Sequence, residues 1–293
     1  MASDNSLIFE KEKKFREFQI WPLAATLDVR SWVENFKEEH QDFALRLLDG
    51  FYFLSDPVID AMLLGALQRL VSDFTNRSAS GADFFQETLF VIVQGESPSV
   101  SDSGHIYARK LRDKAGVSEG KIKHPAEALK IADYFRNIVF VDDFIGSGQQ
   151  MLYTWQRSHQ LAATASTSFS ELSAKGNHSF FYCATVCSSI GHLNLSRDIP
   201  ELQIFAAHQL RNQDSLTYDD HPVWRGRYSE SMLLLRQYSK EAGYDAEDGG
   251  EDDWRGFYRQ ALGLAYWHSV PDATLPVFRS ARAGWKPLVR IRN

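Results

Sequence analysis

Residues 136–155 read RNIVFVDDFIGSGQQMLYTW. Four apolar residues, 138–141, run straight into two adjacent acids, Asp142 and Asp143. A short Gly/Ser loop follows, and after it Met151, Leu152 and Trp155 recur at helical spacing. A continuous apolar run of this length, bounded by polar residues and feeding a Gly-rich loop, predicts a buried parallel strand. In open α/β sheets ligands bind outside the carboxyl ends of such strands. A helix opening near Gly148 would turn free backbone N–H groups and its positive dipole end toward an anion. The stretch therefore sets carboxylates, suited to hydroxyls, beside an amide cradle suited to a phosphate. Together these fit a phosphorylated sugar.

The surrounding chain predicts the same architecture. Residues 88–93, TLFVIV, form a second buried strand, residues 180–186 a third and residues 202–206 a fourth, with helical patterns between them. Strands alternating with helices imply an α/β fold, a doubly wound and mainly parallel sheet with helices on both faces. Residues 1–20 are charged and lack a period, so they read as an arm. Between 27 and 53, Trp32, Phe36, Phe43, Leu47 and Leu48 recur at helical spacing, and Ser55-Asp56-Pro57 opens another helix. The predicted organisation is an N-terminal helical layer over 1–80, an α/β core over 81–210 and a C-terminal helical and hood extension over 211–293. The N-terminal layer reads as a cap on the sheet or as a partner or dimer surface, and a homo-oligomer is compatible with the second reading.

Composition narrows the function. Apolar residues at 44% and charged residues at 24% belong to an ordinary globular chain. A net charge of −6 argues against a broad nucleic-acid surface. No apolar run approaches a membrane span, and the opening MASDNSLIFEKEKKF has no apolar signal core, so a cytoplasmic location and no membrane contact are expected. Cys183 and Cys187 lie four apart in a predicted strand, about 13 Å from one another. That is too far for a disulfide, so they read as small buried hydrophobes. The run at 242–254, AGYDAEDGGEDDW, reads as a solvated acidic loop without the ordered ligand spacing of a calcium loop.

The order four hydrophobics, two acids, two hydrophobics, small-residue loop resembles the phosphoribosyl pyrophosphate (PRPP) motif of type I phosphoribosyltransferases. The resemblance implies that Asp142 and Asp143 hold the ribose 2′ and 3′ hydroxyls. It also implies that Ile145, Gly146, Ser147, Gly148 and Gln149 cradle the 5′-phosphate. In that family a loop after an early core strand binds pyrophosphate, which here falls on Gln94, Gly95, Glu96 and Ser97. Arg109 and Lys110 either reach the same phosphates or form a solvated helix face. Mg²⁺ is the implied cofactor, held mainly by PRPP with Asp142 and Asp143 nearby. The match departs from the family at Gly146, where purine-salvage members place a general base, and at Gln149 and Gln150, where Ser or Thr is usual.

A wider resemblance rests on DDFIGSG, the upstream SG-containing loop, the helical N-terminal layer and the closing TLPVF…GWKPL. Together these look like the phosphoribosyltransferase-like effectors of bacterial conflict systems, some found in retron anti-phage cassettes. It implies protein partners of a defence cassette, a reverse transcriptase and its RNA/DNA product. Three functions follow. The first is a phosphoribosyltransferase-like enzyme acting at the ribosyl C1, with the acceptor unspecified. The second is a non-catalytic PRPP or nucleotide sensor. The third is an ATPase, since an apolar strand ending in Asp-Asp also resembles a Walker B strand. The chain contains no G-x-x-x-x-G-K-[ST], which argues against the third. Two further readings remain. Residues 113–125, with Lys121 and Lys123, read as a flap or a connector, and Trp285 reads as a base-stacking residue or a packing anchor.

Overall fold

The structure, a computed structural model, describes residues 3–18, 20–22, 26–77, 83–94, 104–162 and 165–290. In chain order it opens with helices α1 (Ser3–Glu17), α2 (Val29–Val33) and α3 (Gln41–Asp49), strand β1 (Tyr52–Leu54) and helix α4 (Asp56–Arg77). Then come β2 (Thr88–Ile92), α5 (Gly104–Ala115), β3 (Ile122–Lys123), α6 (Pro125–Ile131) and β4 (Asn137–Ile145). Next are α7 (Gln149–Gln156), β5 (His159–Ala162), β6 (Ala165–Thr167), α8 (Phe169–Ala174), β7 (Ser179–Cys187), α9 (Ser189–Asp198) and β8 (Leu202–Gln209). The chain closes with α10 (Tyr228–Glu241), β9 (Leu264–Tyr266) and α11 (Pro276–Arg279).

The elements divide into two units, residues 57–210 and residues 1–56 with 211–293. The first is an α/β unit around a five-stranded parallel sheet in the order β3-β2-β4-β7-β8. Its inner strands are apolar on both faces because helices cover both. Strand alternation sends Phe180 toward Trp155 of α7, with ring centroids 4.8 Å apart. It sends Phe181 the other way, toward Phe84, which meets Phe74 of α4 at 5.0 Å. Cys183 and Cys187 are buried free thiols on β7, and burial pushes both up to about 12.

The strand order carries the functional consequence. From β2 the chain steps outward to β3, returns to place β4 on the other side of β2, and continues through β7 to β8. The direction of winding therefore reverses between β2 and β4. The carboxyl ends of two such strands diverge into a crevice, the usual ligand position of doubly wound sheets. Asp142 and Asp143 lie near that end of β4, and Gln94 follows β2.

The second unit brings the two ends of the chain together. Its core joins Trp32, Phe36 and Phe43 to Trp224, Tyr238, Phe278 and Trp285. β1 pairs in parallel with β9, Tyr52 opposite Leu264, and Leu27 bridges Val289. Four local expectations change. The residues read as an arm contain α1, whose Arg16 donates to Glu12 and to the Leu27 carbonyl. The possible flap at 113–125 instead supplies the edge strand β3, and Lys121 Nζ donates to the Phe85 and Gln86 carbonyls. The sequence of residues 275–278, LPVF, also allows an edge strand, but the segment is a helix start, because Pro276 at the first helical position lacks an N–H and has its φ preset for a helix. The fourth change is the helix at Asp56–Arg77, which falls with the sheet unit instead of the N-terminal layer.

The closing basic segment is paired within its own unit. Lys286 meets Glu34 at 2.6 Å, Arg290 meets Asp28 at 2.9 Å, and Trp285 Nε1 donates to the Val277 carbonyl. Trp285 is buried against Phe36, which makes it a packing anchor.

The acidic run is likewise more than a solvated loop. Asp253 is fully buried and accepts from the Gly249 and Arg255 amides and, through both oxygens, from the Arg255 guanidinium at 3.0 Å. Burial alone would raise its pKa, but the bonds from Arg255 and Gly249 outweigh it and hold the carboxyl below the usual 3.8. Its stabilisation is thus complete above 3.8 and is lost as pH falls through the depressed value. Asp253→Ala, which strands the guanidinium, is expected to cost about 3 kcal/mol in urea denaturation. It should also remove part of the acid sensitivity of the wild type.

Candidate functional site

The acid pair sits in the middle strand of the sheet, but its members do not share a surface. Side chains alternate along a strand, so adjacent carboxylates project to opposite faces. Asp142 points into the Phe140 and Tyr182 side and is only 2% exposed, whereas Asp143 is half-buried. Asp142 Oδ1 accepts from the Asp143 amide at 2.9 Å, and its Oδ2 accepts from Tyr182 Oη at 3.0 Å. Asp143 Oδ1 accepts from the Phe144 amide at 2.8 Å, and Thr185 Oγ1 donates to the Asp143 carbonyl at 2.6 Å.

Burial, together with the charge of Asp143, holds the Asp142 carboxyl well above the usual 3.8, although the Tyr182 bond opposes this. Burial and the adjoining acids keep the Tyr182 phenol well above 10. A carboxyl whose folded pKa is raised contributes its stability below the unfolded value and loses it as pH rises through the folded one. Asp142→Asn keeps the shape and removes the buried charge. It is therefore expected to melt higher than wild type at neutral pH, with the difference closing below about pH 3.8. Thermal melts of both proteins across pH check this.

The loop after β4 is set by the start of α9. Ser188 N–H donates to the Ile145 carbonyl, Ser188 Oγ to the Gly146 carbonyl at 2.5 Å, and Asn194 Nδ2 to the Ser147 carbonyl at 2.9 Å. Three successive carbonyls are thereby engaged on the α9 side. Among the described residues the amides of Gly146, Ser147 and Gly148 have no acceptor, and all three residues are half-buried. The approach is close enough that a Cβ on Gly191 would lie 2.6 Å from the Gly146 carbonyl oxygen. Gly148 caps α7 with φ +85°, and a Cβ there would lie 2.8 Å from Leu195 Cγ. Gln149 is half-buried at the first position of α7, and its amide donates to Ser147 Oγ at 3.3 Å. Amides without acceptors at a helix start are groups of the kind that can take an anion.

Across the crevice, Gln94 leaves β2 under tight control. Thr154 of α7, 1% exposed, donates to the Gln94 carbonyl at 2.7 Å and accepts from its amide at 3.0 Å. The Gln94 side chain reaches His124 at 3.2 Å. One hydroxyl thus ties the helix behind the loop amides to the end of β2. Gly95, Glu96 and Ser97 lie outside the described residues. α5 begins at Gly104, where a Cβ would fall 1.9 Å from Ile92 Cγ2, so only glycine lets the helix start against β2. On α5 the two basic candidates diverge. Arg109 is exposed. Lys110 is buried, and its Nζ donates to Asp60 of α4 at 2.5 Å, with Lys114 on the other oxygen at 3.0 Å. Burial would raise Asp60, but the two lysines prevail and hold it below the usual carboxylate value.

Tyr182 and Thr154 were missed in the sequence. Tyr182 looks like one more aromatic in SFFYC, and Thr154 like a polar residue on an ordinary helix. Only the register, which sets Phe140 beside Tyr182 and Asp142 beside Ala184, brings the phenol under the acid.

The strand order of the parallel sheet reverses beside the segment 136–155 from which the resemblance was drawn. A family model described as PRTase-CE matches residues 29–290. The chain belongs to the PRTase-CE family. It is thus phosphoribosyltransferase-like, and the match spans both units. No curated protein matches it. In this PRTase-CE chain no described helix is long and apolar enough to cross a membrane. Among the described residues no three His, Cys, Asp or Glu converge on a metal-sized site.

Proposed function

We propose that this PRTase-CE chain binds PRPP, or a closely related ribosyl phosphate, with Mg²⁺ and breaks the ribosyl C1 bond to pyrophosphate. The observation that carries the reading is the row of three amides without acceptors at Gly146, Ser147 and Gly148, next to Asp143 at the reversal of strand order. Those amides would take the 5′-phosphate. Asp143, with Asp142 behind it, would accept from the ribose hydroxyls. Gln94 and Arg109 would face the pyrophosphate.

Asp143 is a hard oxygen donor suited to Mg²⁺, and such an ion takes its other ligands from substrate phosphates and water. When bound, it would neutralise charge on the departing pyrophosphate. The protein's own contribution is positioning and preorganised hydrogen bonding. As the C1–O bond breaks, its electron pair leaves with pyrophosphate, and the acceptor or a water forms the new bond to C1. Gly146 offers no carboxylate, so purine activation by a base at that position is not expected. The acceptor must bring its own nucleophile, take a base from elsewhere, or be water.

Calorimetry with PRPP and Mg²⁺, followed by phosphorus NMR for released pyrophosphate, tests the reading. Saturable binding with turnover is expected, and absence of binding would overturn it. Binding without turnover under any condition would favour the second reading, a PRPP sensor, which the missing carboxylate at Gly146 supports. The biological setting suggested by the sequence, an anti-phage effector restrained by partners of a defence cassette, is part of the same proposal. Pyrophosphate release measured with and without those partners tests it.

A further inference from the structure

A cleft of about 570 Å³ lies at the opposite end of the sheet from the acid pair, beside the amino ends of β4 and β7. Asp133, Tyr134, Arg136, Lys175, Asn177 and His178 line it. Its volume lies within the roughly 300–1,000 Å³ of small-molecule sites.

Its walls are fixed through the backbone. The Arg136 amide donates to the Glu87 carbonyl, the Ser179 amide donates to the Arg136 carbonyl, and His178 Nε2 lies 3.3 Å from the Ala132 carbonyl. The last bond requires the proton on Nε2. His178 Nδ1 is buried and has no hydrogen-bond partner. Two cations face the cleft with little to neutralise them. Arg136 is 81% exposed, with its nearest carboxylate, Glu87, at 4.0 Å. Lys175 forms no ion pair among the described residues, in a chain of net charge −6. Beside them Tyr134 is 84% exposed, an unusual position for a large ring whose burial would be favourable.

An exposed ring with two under-neutralised cations on a rigid concave wall suits a ligand with a flat base and a phosphate. Bases stack on aromatic rings without regard to sequence. Arg pairs bidentately with phosphate oxygens, and Lys supplies a mobile charge. Asn177 and Asp133 offer an amide and a carboxylate for a base edge or a ribose hydroxyl. We infer that this cleft is a mononucleotide-binding site, separate from the crevice that holds the acid pair. The separation follows from β4 itself, whose nine residues hold its ends about 25 Å apart. The inference stands whether or not PRPP is the ligand of the crevice.

The test is calorimetry of the full-length protein with AMP, ATP, adenosine and inorganic phosphate. Four proteins are compared: wild type, Tyr134→Ala, the pair Arg136→Ala with Lys175→Ala, and Asp143→Asn. The altered cleft side chains are exposed, so unchanged melting temperatures are expected and serve as the folding control. A nucleotide should bind at the cleft of Asp143→Asn, whose crevice holds a ribosyl phosphate poorly, with the affinity it has for the cleft of wild type whose crevice is filled with PRPP and Mg²⁺. Loss of the stacking ring should weaken it about tenfold, and loss of both cations tenfold or more. Adenosine and phosphate alone should each bind more weakly than AMP. No saturable nucleotide binding by wild type at millimolar concentration would overturn the inference. So would binding lost in Asp143→Asn but kept in both cleft variants. Capture of single-stranded oligonucleotides through the same residues, with no mononucleotide binding, would replace it with a nucleic-acid surface.

Discussion

Gly148→Val is expected to abolish measurable PRPP binding and to lower the stability of the sheet unit by about 2–5 kcal/mol, the sum of two costs. A β-branched residue at φ +85° is in the left-handed region, at about 1–2 kcal/mol. Its Cβ would also lie 2.8 Å from Leu195 Cγ, and overpacking of this kind costs about 1–3 kcal/mol. Both strains fall on the residue that opens α7, so the loop amides would be pushed off their positions. Ser147→Ala, one residue earlier, leaves the backbone free to keep its course and should change affinity less than threefold. Titration calorimetry and urea denaturation on both variants check this. Equal, small effects would place the phosphate elsewhere.

Asp143→Asn is the second large effect. A charged hydrogen bond to a hydroxyl is worth about 1.5–3 kcal/mol, which corresponds to a tenfold to hundredfold loss of PRPP affinity. Asp143 is half-buried, and its charge only adds to the burial that holds Asp142 up, so its removal should raise stability at neutral pH by less than Asp142→Asn does. Asp142→Asn should weaken binding less while raising stability at neutral pH. The two adjacent variants are thus expected to separate in opposite directions, one in affinity and the other in melting temperature. Wild-type affinity in both would refute the assignment of the ribose.

The sheet was legible because the signals that build it are local. Residues 88–93, 138–141 and 180–186 are unbroken apolar runs, and only helices on both faces can bury such strands. The acid pair and its loop were legible as an order of residue types. What alternation does to that pair was not drawn from the sequence, and Asp142 turned out to lie over Tyr182. The second unit was hidden for a different reason. Trp32 meets Phe278, and Tyr52 pairs with Leu264, across more than two hundred residues. The strands β1 and β9 have three residues each, too short to show a period. Asp253 was hidden within a run of acids, and only its two-pronged bond to Arg255 distinguishes it.

The arrangement of the chain has a bearing on its synthesis. Residues 57–210 are one uninterrupted piece placed between the two halves of the other unit. On the ribosome the sheet unit can close as soon as β8 has emerged. Trp32, Phe36 and Phe43 are made first, yet the residues that cover them, Trp224, Tyr238, Phe278 and Trp285, are made last. At bacterial-to-eukaryotic elongation rates of about 5–20 residues per second, that apolar face waits on the order of 10–40 s for its complement. The nascent protein is therefore a finished sheet unit trailing a sticky N-terminal segment, and this interval is when a chaperone has most to protect. A ribosome stalled before residue 224 would hold a chain whose sheet unit is folded and whose other unit has nothing to fold onto.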